Sequence, residues 1–153
     1  MIAVVQRVIS GRVTVHDRVI GEIGNGLVAL VSVERNDGEP QLRWMADKLV
    51  GLRIFRSEDG AKHFERDVRQ VGGSILLVSN FTVAAATRKG RRPSLDGAAS
   101  PEAGRALFDQ FVGLVRALDV PVATGEFGAD MIVHIENDGP ATFIVQSDPV
   151  SNV

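Results

Sequence analysis

The 153-residue sequence contains no cysteine, which excludes a disulfide framework and thiolate chemistry. No apolar run approaches the length needed to cross a bilayer. Residues Met1 to Arg7 carry no basic segment followed by an apolar one. These absences predict a cytoplasmic protein with no membrane partner. Charge of one sign is also missing. The 17 Lys and Arg residues nearly balance 19 Asp and Glu, giving a net charge of −2. A near-neutral total of this kind leaves room for a local basic patch. His16, His63 and His134 are scattered, and no His/carboxylate cluster has metal-ligand spacing, so neither a metal nor a cofactor is expected.

Familiar catalytic signatures are missing as well. Gly21-Glu22-Ile23-Gly24-Asn25-Gly26 has dinucleotide-like glycines in the wrong order, with no helix after them. Gly90-Arg91-Arg92-Pro93-Ser94 lacks the phosphate-loop lysine pattern. Gly72-Gly73-Ser74-Ile75-Leu76 is not a nucleophile elbow, because Leu76 stands where glycine is required. There is no internal repeat, low-complexity segment or linker, so residues 1–153 read as one domain with enough length for a sizeable core.

What is present is a chain of many strands and two clear helices. Residues 2–10 alternate and Val13 to His16 follow Gly11, which predicts a strand pair or one long bent strand. Val19 to Ile23 is a short strand, and Leu27 to Val33 a buried one. Pro40 to Leu52 has Leu42, Met45, Leu49 and Leu52 on one helical face, with Trp44 beside it and expected in the core. Arg53 to Phe55 reads as a short strand, and Asp67 to Gly73 as strand or loop. Ser74 to Val83 reads as an interior strand that turns polar towards its end. Ser100, Pro101 and Glu102 open a helix that runs to about Leu118, with Leu107, Phe111, Leu114, Val115 and Leu118 as its buried stripe. Val120 to Thr124, with Pro121, reads as an edge strand. Asn137-Asp138-Gly139-Pro140 lies between the alternating runs 131–136 and 141–145, so it reads as the turn of a closing hairpin. Pro140 is unusual there, because it removes a ladder donor. The tail after Ser147 is expected to fray. Helices that do not alternate regularly with strands predict an α+β domain: mainly antiparallel or mixed sheets, a barrel-like core and two principal helices.

Three stretches carry possible chemistry. Ser79-Asn80-Phe81-Thr82 closes a strand, but Thr82 has no evident base nearby. Arg88, Lys89, Arg91 and Arg92 cluster on a loop, as in a phosphate clamp. The third is the Gly-Pro turn, a rigid dipeptide whose carbonyls can be aimed at a ligand. Taken singly, each is better read as ordinary structure: a polar strand end, a solvated loop and a turn.

Taken together, they resemble the D-aminoacyl-tRNA deacylases over essentially the whole chain. The resemblance rests on Gln6-Arg7-Val8, Gly21 to Gly24, Leu52 to Phe55, Ser79 to Val83, Thr87 to Ser94, Phe127 to Met131 and Asn137 to Pro140, in that order and spacing. It implies a homodimer that cleaves the ester between a D-amino acid and the terminal ribose of tRNA, and that also acts on glycine mischarged on tRNA. It implies a cis Gly139–Pro140 bond, inserted across the interface into the partner's site, whose carbonyls hold the substrate amino group. Phe81, Thr82, Gly139 and Pro140 are then the catalytic set. Arg7, Ser79, Asn80, Phe127, Met131 and Asn137 bind the substrate, with Arg7 bracing the Gly-Pro motif. Ser79 to Thr82 would form the opposite wall, presenting backbone N–H groups and the Thr82 hydroxyl. The charge of the loop Arg88 to Arg92, rather than the resemblance, suggests that it tracks the acceptor end.

Such a site is chemically coherent without a triad. The ester is already activated, so positioning and oxyanion donors matter more than a strong nucleophile. The ribose 2′-hydroxyl can assist. A wall of rigid backbone can exclude an L side chain and leave a D side chain pointing outward. The chain departs from the usual pattern at Asn80 (commonly Gln), Val83 (Leu), Ala141 (Val) and Lys62-His63 (Met-Asn). The competing readings are a trans Gly-Pro editor of mischarged L-aminoacyl-tRNA and a non-catalytic RNA- or small-ligand-binding β module.

Overall fold

A computed structural model describes residues 1–148. Its first strand, β1 (Ile2–Val15), organises the sheet. β1 buries Ala3 and Val5 on one face, then Val8 and Val13 on the other. The change of face falls where β1 leaves β3 (Gly26–Ser32), which it pairs through Val8, for β2 (Arg18–Ile23), which it pairs from Gly11 onward. At Gly11 a Cβ would lie 2.6 Å from Val28 Cγ2, so glycine lets β1 pack closely over β3. Of the two expectations, a strand pair or one long strand, the single long strand is what forms.

β3 continues in parallel to β4 (Ser74–Ser79), and β4 to β5 (Val122–Thr124). The order is β2-β1-β3-β4-β5, with β6 (Ile132–Gln146) antiparallel to β1 on its other side. The sheet is thus mixed, and it nearly closes into a barrel. At Gly21 of β2 a Cβ would lie 2.2 Å from the Thr124 carbonyl oxygen of β5, so the two ends of the path meet backbone to backbone.

Leu27 to Val31 of β3 and Ile75 to Val78 of β4 are continuously apolar because both faces of these strands are covered. Leu27, Ala29, Val31, Ile75 and Leu77 pack under the helices, and Val28, Leu76 and Val78 fill the barrel interior. The helices are α1 (Glu39–Gly51) and α2 (Pro101–Arg116). α1 buries Leu42, Met45, Ala46, Leu49 and Val50. Trp44, expected in the core, is instead 39 % exposed, because it falls on the opposite helical face, where Lys48 Nζ lies 5.2 Å from its ring. In α2 the Ser100 hydroxyl oxygen accepts the Ala103 N–H at 3.3 Å. The fully buried side chains of α2 are Phe108, Phe111, Val112 and Val115, while Leu107, Leu114 and Leu118 are only half-buried at the rim. Full burial of one such large side chain contributes about 1.5–3 kcal/mol.

Several local expectations need correction. Arg53 to Phe55 forms no strand; only Phe55 bridges, to Arg66. Asp67 to Gly73 is turn and loop. β4 stops at Ser79, and Phe81–Ala84 wind into a one-turn 3₁₀ helix. Most consequentially, Asn137 to Pro140 is not a hairpin turn. β6 is one continuous strand, and both of its halves pair with β1. Asp-Gly chemistry suits a bulge as well as a turn, and the free length of β1 on both sides captures both runs. From residue 149 on, the tail lies outside the described residues.

The Met1 ammonium is buried and donates to Glu34 Oε2 (2.7 Å), Asp37 Oδ1 (2.6 Å) and Ser147 Oγ (2.9 Å). It thereby fixes the segment after β3. That segment in turn holds residues 97–99, through Arg35 N–H to Gly97 O at 2.9 Å and Ala99 N–H to Val33 O at 3.0 Å.

Candidate active site

Ala98 and Ala99 form part of the rim of a cavity of about 630 Å³ at the C-terminal end of β4. One wall is Ser79, Asn80 and Phe81, and the facing wall is Phe127 to Met131. The start of α2, with Ser100 and Gly104, and the side chain of Leu95 complete it. Five of the sequence-predicted residues, Ser79, Asn80, Phe81, Phe127 and Met131, therefore come together here. Phe127 is fixed from behind by Phe108, 6.1 Å away between ring centroids. Arg105 also stacks over the Phe127 ring at 4.9 Å and donates from Nη2 to its carbonyl at 3.2 Å. Gly104 is required for this packing to be close, since a Cβ there would lie 3.4 Å from Phe127 Cζ. A more open groove of about 800 Å³ shares the segment 127–130, but its other wall is Val15, His16, Arg18 and Ile20, and it contains neither Ser79 nor Phe81.

The wall Ser79 to Thr82 differs from expectation in its donors. Asn80 Oδ1 accepts both the Thr82 N–H at 3.1 Å and the Thr82 hydroxyl at 2.6 Å. Neither group of Thr82 is therefore free, and Thr82 does not line the cavity. Its hydroxyl donates to an amide oxygen, which is no base, so nothing activates it as a nucleophile. The Phe81 N–H, by contrast, has no partner among the described residues. Phe81 itself is 57 % exposed at the mouth.

Gly139 and Pro140 lie elsewhere. The pairing passes from Gln6↔Thr142 to Val8↔Asn137, so Arg7 alone faces the bulge 138–141. The Gly139–Pro140 peptide is cis. Asn137 closes the base of the bulge, donating from Nδ2 to Arg7 O at 2.9 Å and Ala141 O at 3.3 Å. Arg7, only 2 % exposed, braces it from within. Its Nε donates to Asp138 O at 3.1 Å and lies 3.0 Å from Asp138 Oδ2, and its Nη1 donates to Ile54 O at 2.7 Å and His63 O at 3.3 Å. Arg56 Nη1 reaches Asp138 Oδ2 at 2.7 Å. That hydrogen bond does most to hold the Asp138 carboxyl below its ordinary pKa; partial burial opposes it, and the Arg7 charge reinforces it. Sequence reasoning passed over Asp138 and Arg56. Asp138 read as a turn residue, and no local signal ties Arg56 to it.

The bulge does not reach the cavity of its own chain. Arg7 aligns through Leu27 with Ile75, and Ala3 through Val31 with Ser79. The two sites are thus four residues apart along the sheet, roughly 13 Å, and β6 lies three strands from β4. Arg88, Lys89, Arg91 and Arg92 are exposed on the loop that Ala86 and Ser94 close with paired backbone hydrogen bonds of 2.9 Å. No ion pair engages them among the described residues. Leu95, next after this closure, brings the loop's base to the cavity rim.

The chain is similar to known proteins over nearly its whole length. The D-aminoacyl-tRNA deacylase of Carboxydothermus hydrogenoformans is 54% identical over 146 residues, 95% of this chain and 99% of that protein. That of Geobacter sulfurreducens is 51% identical, over 96% of this chain and 95% of that protein. The solved structure of a c-Myc DNA Unwinding Element Binding Protein superposes with a TM-score of 0.92 at 36% identity, covering 97% of this chain and all (100%) of that one. A probable eukaryotic D-amino acid tRNA deacylase shares the fold, with a TM-score of 0.79 at 19% identity, over 94% of this chain and 97% of that one. The sequence profile described as D-Tyr-tRNA(Tyr) deacylase matches residues 4–146, and the chain belongs to that family.

Proposed function

We propose that this chain hydrolyses the ester of D-aminoacyl-tRNA, and of glycine mischarged on tRNA, to free amino acid and tRNA, and that it rejects L-aminoacyl-tRNA. The observation that carries this reading is the cavity itself, where Ser79 to Phe81 face Phe127 to Met131 in a chain of the deacylase family. The acyl group would sit against the strand end, with the Phe81 N–H directed at the developing oxyanion. Water attacks the ester carbonyl carbon and the bond to the ribose oxygen breaks, while the neighbouring 2′-hydroxyl gives its proton to the leaving oxygen and takes one from the attacking water. Thr82 supports the turn and is not the nucleophile.

The working unit is a homodimer in which Gly139 and Pro140 of one protomer enter the cavity of its partner. Support comes from the distance of the bulge from its own cavity and from the unpaired outer edge of β6, which leaves that side of the sheet open. Within the partner's site, the carbonyls of the motif would hold the substrate amino group. Arg88, Lys89, Arg91 and Arg92 would follow the acceptor-end phosphates. A cytoplasmic location fits this substrate, and no helix among the described residues is long and apolar enough to cross a membrane.

The competing reading is a non-catalytic RNA- or small-ligand-binding module; because Thr82 is not asked to react, its capping by Asn80 does not speak for that reading. Hydrolysis of matched D-, L- and glycyl-tRNA decides. Turnover of the D and glycyl esters with the L ester spared is the expected result. Binding without turnover of any of the three would establish the non-catalytic module.

A further inference from the structure

One side chain of the segment between α1 and β4, Arg56, hydrogen-bonds directly to the Gly-Pro bulge. The backbone of that segment is anchored: Phe55 and Arg66 exchange N–H to carbonyl bonds of 3.0 Å, and Arg66 Nε donates to Arg56 O at 2.7 Å. Ile54 and Phe55 are both buried. Arg7 binds the same segment to β1 through Ile54 O and His63 O. Arg56 therefore leaves a fixed base, and its guanidinium ends on the Asp138 carboxylate across 82 residues of sequence.

The consequence follows from the Arg7 Nε, whose single N–H faces two acceptors of Asp138, the main-chain oxygen at 3.1 Å and the carboxylate Oδ2 at 3.0 Å. These compete, and a carboxylate is the stronger acceptor. Arg56, closer to Oδ2 at 2.7 Å, satisfies the carboxylate and leaves the Arg7 donor to the main-chain carbonyl. That carbonyl belongs to the peptide unit joining Asp138 to Gly139. Its direction sets the orientation of Gly139 and, through it, of the carbonyls that the motif presents.

We propose that Arg56 is a positioning residue for Gly139 and Pro140, acting through Asp138, and that it sets the discrimination between D- and L-aminoacyl esters. This rests on the deacylase reading above. Arg56 is 40 % exposed and does not line the cavity of its own chain, so its removal leaves that cavity and its oxyanion donor in place.

Arg56→Gln and Asp138→Asn, singly and together, test the proposal with D-tyrosyl- and L-tyrosyl-tRNA. Misplacing a binding group by about 1 Å costs up to about a hundredfold. The expected result is therefore a D/L ratio of kcat/KM reduced by roughly tenfold in Arg56→Gln, mainly through a rise in L-ester hydrolysis. In the double variant the D/L ratio should return towards the parent's, because Asp138→Asn removes the carboxylate that competes for the Arg7 N–H; a double variant as impaired as Arg56→Gln overturns the proposal. Arg56→Lys should recover part of the ratio. A purely structural role would lower the D and L rates equally, together with the melting temperature, and that outcome overturns the proposal. So does an unchanged D/L ratio in Arg56→Gln. Amide hydrogen exchange at Gly139 and Ala141 is measured alongside and needs no turnover: faster exchange in Arg56→Gln than in the parent supports the positioning role, and equal rates refute it. If the parent enzyme leaves D-tyrosyl-tRNA intact, the deacylase reading fails, and the exchange rates still judge whether Arg56 orders the bulge.

Discussion

Asn80 Oδ1 binds both hydrogen-bond donors of Thr82, the backbone N–H at 3.1 Å and the hydroxyl at 2.6 Å. One short amide side chain thus caps the 3₁₀ turn and removes two groups from the set of candidate catalytic donors. Thr82→Ala is accordingly expected to retain substantial activity, within about tenfold of the parent, because the backbone survives and the Phe81 N–H is untouched. Replacing the terminal 2′-hydroxyl of the substrate by hydrogen should be the more damaging change. A trapped acyl-enzyme on Thr82, or abolished turnover in Thr82→Ala with tRNA binding intact, would make Thr82 the nucleophile.

Asn80→Ala separates capping from catalysis. The turn loses two hydrogen bonds, each worth about 0.5–1.5 kcal/mol net, and urea unfolding should show a loss of about 1–2 kcal/mol, since both bonds are solvent-accessible. The Thr82 N–H is released towards solvent at the same time. Turnover at saturating substrate, measured well below the unfolding midpoint, should not fall. A fall of more than about a hundredfold would mean that the Asn80 side chain itself serves the reaction.

The strands β3 and β4 and the two helices were legible in the sequence because each carries its own period. Apolar runs covered on both faces and an apolar stripe at helical spacing are local signals. The course of β6 was not legible, because Asp138-Gly139 satisfies a hairpin and a bulge equally, and only the register of β1, more than a hundred residues earlier, tells them apart. Trp44 was misplaced for a related reason: periodicity gives a stripe, and a residue one position from it falls outside. The cavity residues Ser79 to Phe81 and Phe127 to Met131 were found through motif resemblance, whereas Leu95, Gly104 and Arg56 carry no local signature.

Reversing charge on the basic loop tests its assignment to the acceptor end. Arg91→Glu with Arg92→Glu should weaken tRNA binding and flatten the dependence of log Kd on log salt by about 0.7–0.9 for each phosphate that is no longer neutralised. Both side chains are exposed, so the melting temperature should stay close to the parent's. An unchanged salt slope would return the loop to ordinary solvated surface.

Mixed dimers test whether the Gly-Pro bulge serves the neighbouring cavity. Ala98→Trp fills the cavity that Ala98 lines, and deletion of Gly139 and Pro140 removes the motif. Each variant alone should be inactive as a homodimer. Co-refolded, a dimer with one chain of each kind carries one intact cavity facing one intact bulge, so activity should reappear. If the two variants fail to complement although heterodimers form, each chain uses its own motif.

The ion pairs of Asp138 predict an acid limb of stability. Arg56 from the segment after α1 and Arg7 from β1 hold this carboxyl below its ordinary value of 3.8. A carboxyl that ionises more readily in the folded chain than in the unfolded one stabilises the fold when it is charged. Its contribution is therefore complete above the unfolded value and is lost as pH falls through 3.8 towards the lower folded value. Asp138→Asn removes that dependence, and it leaves the Arg7 N–H on the main-chain carbonyl without competition from a carboxylate. Urea unfolding of the parent and of Asp138→Asn should differ by a constant amount above about pH 5, with the difference shrinking at lower pH. A difference that grows on acidification would mean that the carboxylate is destabilising between its two arginines, as happens when desolvation outweighs pairing.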